Sequence, residues 1–309
     1  MIPLFDIPSH KIDTKKLGNL LHGPIVTEFE KAFAKFVGAK YAVSFNSATS
    51  AIFLALLNKN INVGIPTIIP PVVVNSIINS GNYFHFVNNY SWVGSSYVLY
   101  YFEDYKIIDS AQKVVPNQFK NEALENDLMI FSFYPTKPIS GCDGGIIVSN
   151  DKIKIEKLRE LSMNGMTSAQ NNWDRKIKTA GYKMYMNSIQ ADIAMKNLLN
   201  LKEKSKKINE IKKFYNSNFV QNNTSEHLYQ IEVTDRKMFI KNMNKSGIVC
   251  GIHYEPLHEN FIYYNHFRHK NRYSESELSG MKHMVSIPYH TSLSKKNLSY
   301  IVKKVNQFA

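Results

Sequence analysis

Cysteine is scarce in this chain of 309 residues, which has only Cys142 and Cys250. The two stand far apart and give none of the short Cys and His spacings of a metal-ligand set, so the sequence predicts no metal site. Two cysteines are also too few for the disulfide framework of a small secreted domain. The fold must therefore be stabilised by an apolar core.

Long apolar runs are missing as well. No segment has the roughly 20 apolar residues of a membrane-spanning helix. The first residues, MIPLFDIPSHK, lack the basic start and apolar stretch of a secretory leader. We therefore expect a cytoplasmic protein that does not bind membranes. With 44% hydrophobic and 20% charged residues, the composition is typical of a folded chain.

Acidic residues are few, 25 against 38 basic ones, and the formal net charge is +13. A large basic charge is one mark of a nucleic-acid-binding protein. Much of it lies in residues 196–223, where apolar residues recur at roughly helical spacing, as in an amphipathic helix with a solvated basic face. No recognised nucleic-acid-binding module accompanies the charge, so we predict no nucleic-acid partner.

The order of the predicted elements indicates the fold class. Up to about residue 150, strand-like runs such as YAVSF, YFHFV and GIIVS alternate with helical segments. This alternation predicts an α/β fold with a mostly parallel central sheet flanked by helices. After about residue 200 the pattern becomes that of a compact α+β unit. We predict a large domain at 1–200 and a smaller C-terminal α+β domain at 201–309, with a long helix at about 188–216 between them.

Two strand candidates in the first part lie unusually close together. Only Phe102, Glu103 and Asp104 separate the runs VLYY and YKIID, whereas a crossover between parallel strands needs roughly a dozen residues. Either the two runs form an antiparallel hairpin, or one of them is not a strand.

Three motifs carry groups that can do chemistry. FNSATSAI, residues 45–52, opens a helix whose free N–H groups can meet a phosphate, and IIDSAQ, residues 107–112, ends a strand with a carboxylate. FSFYPTKPISGCDGG, residues 131–145, places Lys137 between an aromatic strand and a glycine-rich turn. Taken singly, they are better explained as two helix caps and a surface lysine. Together they supply a phosphate site, an anion for a ring nitrogen and an amine, as a phosphorylated cofactor that forms an imine requires.

These motifs resemble those of the DegT/StrS family of pyridoxal-phosphate-dependent nucleotide-sugar aminotransferases, which have the type I fold of the aspartate aminotransferase superfamily. The resemblance extends over nearly the whole chain and includes GYKMYM at 181–186 and GIHYEPLH at 251–258. It implies a homodimeric enzyme with pyridoxal 5'-phosphate as cofactor. Such enzymes usually transfer an amino group from glutamate to a keto-deoxy sugar on a nucleoside diphosphate, for polysaccharide or glycan synthesis.

The resemblance also implies roles for individual residues. Lys137 matches the lysine that bonds to the cofactor and then serves as general base and acid. Asp109 matches the partner of the protonated ring nitrogen, and Gln112 the contact of the ring hydroxyl. The residues that match the phosphate contacts are Ala48, Thr49 and Ser132. Because the dehydratase branch of the family has a histidine at the lysine position, Lys137 argues against that branch.

Several aromatic and histidine side chains fall where relatives line the substrate mouth. The candidates are Tyr134, His253, Tyr254, His258 and His290. Each is explained at least as well as an ordinary core or surface residue.

The chain departs from the family pattern at three places. Pro70 stands near the position where relatives cover the cofactor ring with an aromatic residue or histidine. Lys183 and Tyr185 stand where relatives place an asparagine that reaches the neighbouring subunit's phosphate, and we expect Lys183 to neutralise that phosphate. The stretch 88–108 lacks roughly thirty residues that relatives use for crossover helices. These departures leave a second hypothesis, a catalytically impaired or regulatory homologue that still binds the cofactor.

Overall fold

The computed structural model describes residues 1–309 except 8, 16, 88, 90, 168–173, 222 and 265–281. The numbered helices are α1 (Pro24–Val37), α2 (Ala48–Leu56), α3 (Pro71–Asn79), α4 (Gln118–Glu122), α5 (Lys152–Ser162), α6 (Ser188–Leu199), α7 (Leu201–Asn216), α8 (Arg236–Lys245) and α9 (Phe261–Tyr264), and a C-terminal helix spans Lys295–Phe308. The strands are β1 (Tyr41–Phe45), β2 (Asn62–Pro66), β3 (Tyr83–Val87), β4 (Tyr97–Tyr101), β5 (Lys106–Asp109), β6 (Leu128–Ser132), β7 (Gly145–Ser149), β8 (Tyr229–Glu232) and β9 (Met284–Ile287).

The central sheet has the strand order β1-β7-β6-β5-β4. Strands β5 and β6 are parallel, while β1–β7, β6–β7 and β4–β5 are antiparallel pairs. Strands β2 and β3 form a separate parallel pair. The α/β class is therefore confirmed, but the sheet is mixed rather than mostly parallel. The physical reason is that the connection from β4 to β5 is too short to contain a crossover helix, and the connection from β6 to β7 consists of turns without a helix.

The two close strand candidates form the antiparallel hairpin. Tyr97 pairs with Asp109 and Tyr101 with Lys106. The turn between the strands is closed by a hydrogen bond from the Phe102 N–H to the Tyr105 carbonyl, at 2.8 Å. This hairpin brings Tyr97 opposite the end of the strand that carries Asp109.

Alternate side chains of the central strands enter two apolar cores. On one face, Phe45, Ile107, Ile130 and Ile147 pack with residues of α2, α3 and α5. On the other face, side chains of β5, β6 and β7 pack with α1 and α6; they include Ile108, Met129, Phe131 and Val148. Burial of both faces produces a three-layer arrangement that holds the strand ends in fixed positions.

The C-terminal third has its own core. Strands β8 and β9 are antiparallel, and they pack with α7, α8 and the C-terminal helix. The segment between α8 and residue 254 contributes isolated bridges at Ile248 and Gly251. The expected single helix at about 188–216 is instead two helices, α6 and α7, which are interrupted at Asn200. The division into domains at residue 200 stays a prediction, since Leu257 and Tyr263 pack in the first core.

Among the residues that the structure describes, no helix combines the length and apolar character needed to cross a lipid bilayer.

Candidate active site

Lys137 follows β6 after one tight turn. The Lys137 N–H donates to the Tyr134 carbonyl at 2.9 Å, which closes the turn. Side chains of α6 and α7 bond to the backbone just after Lys137. Lys204 Nζ donates to the Pro138 carbonyl at 2.7 Å, and Asn197 Nδ2 donates to the Ser140 carbonyl at 2.8 Å. Helices α6 and α7 therefore fix the segment that presents the lysine.

The amine of Lys137 is available for chemistry. Within the described part of the chain, no group accepts a hydrogen bond from Lys137 Nζ. Burial lowers the pKa of this amine from 10.5 to about 8, against the opposing attraction of the Asp109 carboxylate. About a tenth of the Lys137 amines is therefore neutral and nucleophilic at pH 7, far more than for a lysine of ordinary pKa.

Asp109 ends β5 and is only 4% exposed. Its Oδ1 accepts a hydrogen bond from the Ala111 N–H at 2.9 Å, and its Oδ2 accepts one from the Tyr97 hydroxyl at 2.9 Å. Burial raises the pKa of the carboxyl group, while these two hydrogen bonds and Lys137 oppose the rise. The carboxylate is thus fixed in orientation and placed in a site where its charge is weakly screened.

The N-terminus of α2 faces the same place. Ser47 caps the helix by accepting from the Ser50 N–H at 3.1 Å, and the N–H groups of Ala48 and Thr49 precede the first hydrogen bond within the helix. Gly145 lets β7 pass close by, since a Cβ at this position would lie 2.5 Å from the backbone nitrogen of Ala48. This arrangement of free donors is suited to a phosphate group.

Gln112 connects the centre of the site to the C-terminal part of the chain. Its Oε1 accepts from the Gly94 N–H at 2.6 Å, and its Nε2 donates to the Tyr254 hydroxyl at 2.7 Å. Both ends of the amide are therefore fixed by partners that are distant in the sequence.

One cavity of about 630 Å³ unites most of the predicted site residues. The predicted residues on its wall are Ala48, Thr49, Asp109, Gln112, Ser132, Tyr134, Lys137, His253 and Tyr254, and Pro70 lines it as well. Tyr134 lies at the edge with 54% of its surface exposed. Burial, together with the nearby Lys137, lowers the pKa of His253 to about 4, so this imidazole is neutral at physiological pH.

Three predicted residues do not line this cavity. Lys183 is exposed and forms an isolated bridge with Met163. His290 lines a smaller neighbouring cavity of about 240 Å³, and its Nε2 contacts the Pro3 carbonyl at 3.0 Å. His258 packs edge-on against Phe86, with ring centroids 6.4 Å apart.

Among the cavity residues that the sequence analysis missed, three have aromatic or imidazole rings. Trp92 and Phe5 line the wall, and His227 is shared with the smaller cavity. Burial is the main cause that lowers the pKa of His227 well below its usual value. None of the three belongs to a motif, since Trp92 lies in the shortened stretch and His227 lies two residues before β8. The one signal in the sequence was the presence of a large aromatic residue, Trp92, in so short a connection between strands.

The residues of the cavity fit the cofactor that the resemblance implies. The N–H groups of Ala48 and Thr49 and the hydroxyl of Ser132 can hold a phosphate, and Asp109 can hold a protonated ring nitrogen. Lys137 Nζ has no competing partner within the described chain. The site therefore matches a phosphorylated pyridine aldehyde at its phosphate, its ring nitrogen and its aldehyde.

Comparisons with known proteins agree with this fit. The profile of the DegT/DnrJ/EryC1/StrS aminotransferase family matches residues 10–89 and 120–306. The unmatched residues 90–119 include the hairpin and Asp109. The chain is 26% identical to the spore coat polysaccharide biosynthesis protein SpsC of Bacillus subtilis, over 95% of this chain and 92% of that protein. It is also 26% identical to a UDP-4-amino-4,6-dideoxy-N-acetyl-beta-L-altrosamine transaminase of Campylobacter jejuni, over 91% of this chain and 89% of that enzyme.

Solved structures share the fold. Helicobacter pylori PseC, an aminotransferase involved in the biosynthesis of pseudoaminic acid, has a TM-score of 0.78 at 20% identity over 98% of both chains. The putative sugar aminotransferase Spr1654 of Streptococcus pneumoniae, in its pyridoxal phosphate (PLP) form, has a TM-score of 0.79 at 19% identity over 98% of this chain and 97% of that chain. The fold and the family match confirm the expected class of enzyme and its cofactor, and the chain belongs to the DegT/DnrJ/EryC1/StrS aminotransferase family.

Proposed function

We propose that this protein is a pyridoxal-phosphate-dependent aminotransferase that acts on a nucleotide-linked keto-deoxy sugar. The observation that carries the proposal is that Lys137 and Asp109 line one cavity, with a phosphate-binding helix end on the same wall. The bound cofactor would supply the electron-accepting ring that this reaction needs.

The chain's own residues have separate tasks in this proposal. The N-terminus of α2 and Ser132 bind the phosphate, and Asp109 keeps the ring nitrogen protonated. The amine of Lys137 is released to accept and return a proton beside the reacting carbon, for which a pKa of about 8 is well suited. Neutral His253 and Tyr254 present uncharged polar groups to the hydroxyls of a sugar.

The substrates are proposed from the relatives. The Campylobacter transaminase is named for a UDP-linked amino-dideoxy sugar, and the Bacillus relative for polysaccharide synthesis. Glutamate is the proposed amino donor. The polar and apolar groups of the cavity suit a sugar ring, but they do not determine which sugar, nucleotide or carbon atom reacts.

A homodimer in the cytoplasm is part of the proposal. Among the described residues that line the cavity, Lys137 is the one lysine or arginine, and it is engaged by the cofactor. Further cations for a diphosphate or a dicarboxylate must then come from elsewhere. Lys183 is exposed and outside its own cavity, so it is available to the phosphate of a neighbouring copy. Sedimentation of the purified protein tests for the dimer. If Lys183 contacts the phosphate in the neighbouring subunit, Lys183→Ala should weaken binding of pyridoxal phosphate to the dimer.

The attachment site can be tested directly. The cofactor-free protein is mixed with stoichiometric pyridoxal phosphate, reduced with borohydride and digested, and the modified lysine is located by mass spectrometry. We expect the modification at Lys137 and its loss in Lys137→Ala. Lys204 is the matched control, because desolvation also lowers its pKa but its Nζ donates to the Pro138 carbonyl. Modification spread over other lysines would contradict the proposal.

The same preparation tests the transfer reaction. Glutamate should convert the bound cofactor to its aminated form, and a nucleotide-linked keto sugar should convert it back. Specific attachment at Lys137 without turnover by any amino acid would instead support the catalytically impaired homologue.

A further inference from the structure

Trp92 lies in the shortened stretch and is 5% exposed. Its indole Nε1 donates a hydrogen bond to the Ile68 carbonyl at 3.1 Å. This bond joins the stretch to the segment that leads to Pro70, two residues further along. The indole is therefore held in one orientation against the part of the wall where Pro70 offers no aromatic ring.

The indole also packs against the two tyrosines that bond to Asp109 and Gln112. Its ring is within 7° of parallel to the Tyr254 ring, at a centroid distance of 6.1 Å, and the Tyr254 hydroxyl is bonded to Gln112. It contacts the Tyr97 ring at 5.0 Å, and the Tyr97 hydroxyl is bonded to Asp109. Trp92 thus packs against the side chains that orient both groups expected at the cofactor ring.

The backbone of the same turn is fixed in the site. The Gly94 N–H donates to Gln112 Oε1, and Gly94 has a φ of +78°. A side chain at this position would overlap Ser225. Glycine at position 94 therefore allows the turn to approach both Gln112 and the C-terminal part of the chain. The turn that carries Trp92 is therefore bonded to Gln112, which lines the cavity.

Two other aromatic residues of the cavity wall, Tyr134 and Phe5, are less suited to pack on a bound ring. Tyr134 is exposed at the edge, and Phe5 packs against His227 and His253. The wall near Pro70 otherwise consists of aliphatic side chains, including Val72 and Val73. A planar heteroaromatic ring gains most from an aromatic neighbour that is already fixed in orientation.

We infer that Trp92 forms the aromatic wall that packs on the cofactor ring, and that the shortened stretch thereby compensates for Pro70. This inference rests on the proposed function. It gives Trp92 a binding and positioning role, with no proton transfer.

Cofactor affinity tests the inference. Cofactor-free wild type, Trp92→Phe and Trp92→Leu are titrated with pyridoxal phosphate and followed by visible absorbance. We expect the dissociation constant to rise about two- to tenfold in Trp92→Leu, and by less than about twofold in Trp92→Phe, which keeps an aromatic ring. Phe102→Leu is the matched control, because Phe102 lies in the same stretch but stacks on Tyr105 at 4.5 Å, away from the cavity. Affinity in Trp92→Leu equal to that of the wild type would overturn the inference.

A second measurement does not depend on how Trp92→Leu folds. The chain has two tryptophans, so protein labelled with 5-fluorotryptophan gives two ¹⁹F resonances, and Trp173→Phe assigns the one from Trp92. We expect this resonance to shift when pyridoxal phosphate is added and to return when the cofactor is removed. An unmoved Trp92 resonance, in protein whose absorbance shows bound cofactor, would overturn the inference alone. Failure of the wild type to bind the cofactor at all would overturn the proposed function as well.

Discussion

The hydroxyl of Tyr97 donates a hydrogen bond to Oδ2 of Asp109, at 2.9 Å, between residues that face each other across the β4–β5 hairpin. The hairpin therefore does more than connect two strands. It supplies a donor to the carboxylate that the proposed function assigns to the ring nitrogen. The pKa of Tyr97 is raised well above its usual value, first by burial and then by Asp109, so the phenol remains a donor at any physiological pH.

Tyr97→Phe should destabilise the cofactor-free protein. A hydrogen bond to a charged group contributes about 1.5–3 kcal/mol, and the change leaves Oδ2 of a buried carboxylate without this donor. Because the bond favours the charged form of Asp109, the difference from wild type should be largest at neutral pH. It should shrink as the pH falls through the pKa of Asp109. Denaturant unfolding at several pH values measures this, with Tyr101→Phe on the exposed end of β4 as control. A difference that does not change with pH would contradict the expectation.

Lys137→Met should stabilise the cofactor-free protein at neutral pH. The folded-state pKa of about 8 is below the ordinary 10.5 because burial disfavours the ammonium. The folded state therefore carries the cost of the charge fully below pH 8, and this cost disappears as the pH rises from 8 to 10.5. The stability of the wild type should rise across that window, by about 1–3 kcal/mol in total. In Lys137→Met the rise should be absent, as thermal or urea unfolding can show. A wild type with no such rise would contradict the pKa assignment.

The pH dependence of cofactor attachment should follow the same amine. At pH 8 about half of the Lys137 side chains are neutral, against roughly 0.3% for a lysine of ordinary pKa. The initial rate of attachment should therefore rise with pH and level off above about 8. Asp109 raises the pKa of Lys137, so Asp109→Asn should move the midpoint to lower pH. Stopped-flow absorbance measures the rate. Asp143→Asn, another carboxylate of the cavity, is the control and should leave the midpoint in place.

The phosphate site can be separated from the rest of the cavity. Thr49 lines the cavity at the N-terminus of α2, and we expect its hydroxyl to donate to the phosphate besides its N–H. Thr49→Val keeps the N–H, removes the hydroxyl with little change in shape, and should weaken binding of pyridoxal phosphate roughly tenfold. Binding of pyridoxal, which lacks the phosphate, should change little. Ser50→Ala is the control, because the Ser50 hydroxyl is already bonded to Asn46 at 2.7 Å. Equal weakening of both compounds would show that Thr49 acts on the cavity as a whole.

The sequence was sufficient to locate residues whose position depends on where a strand ends and on how long a connection is. Asp109 and Lys137 follow neighbouring parallel strands, β5 and β6, whose carboxyl ends meet at one edge of the sheet. The spacing of YKIID and VLYY correctly limited that region to a hairpin or a single strand. Both results depend on chain length and strand direction, which can be read without knowledge of the tertiary structure.

The sequence was not sufficient for contacts between distant segments. Trp92 bonds to Ile68, 24 residues away, and Gln112 to Tyr254, 142 residues away. Local periodicity carries no signal for such pairs. For the same reason it did not separate His253, which lines the cavity, from His290, which lines the neighbouring one. The mixed sheet was also missed, because strand–helix alternation does not report how each pair of strands is oriented.

The turn at residues 91–95 has a consequence for how this chain can vary. Connections between strands usually tolerate insertions, because few of their atoms are committed to partners. Here the Trp92 indole and the Gly94 amide are both bonded to other parts of the molecule. A single added residue would shift one of them relative to the other, so homologues with this short connection should keep its length even where their surface sequences diverge.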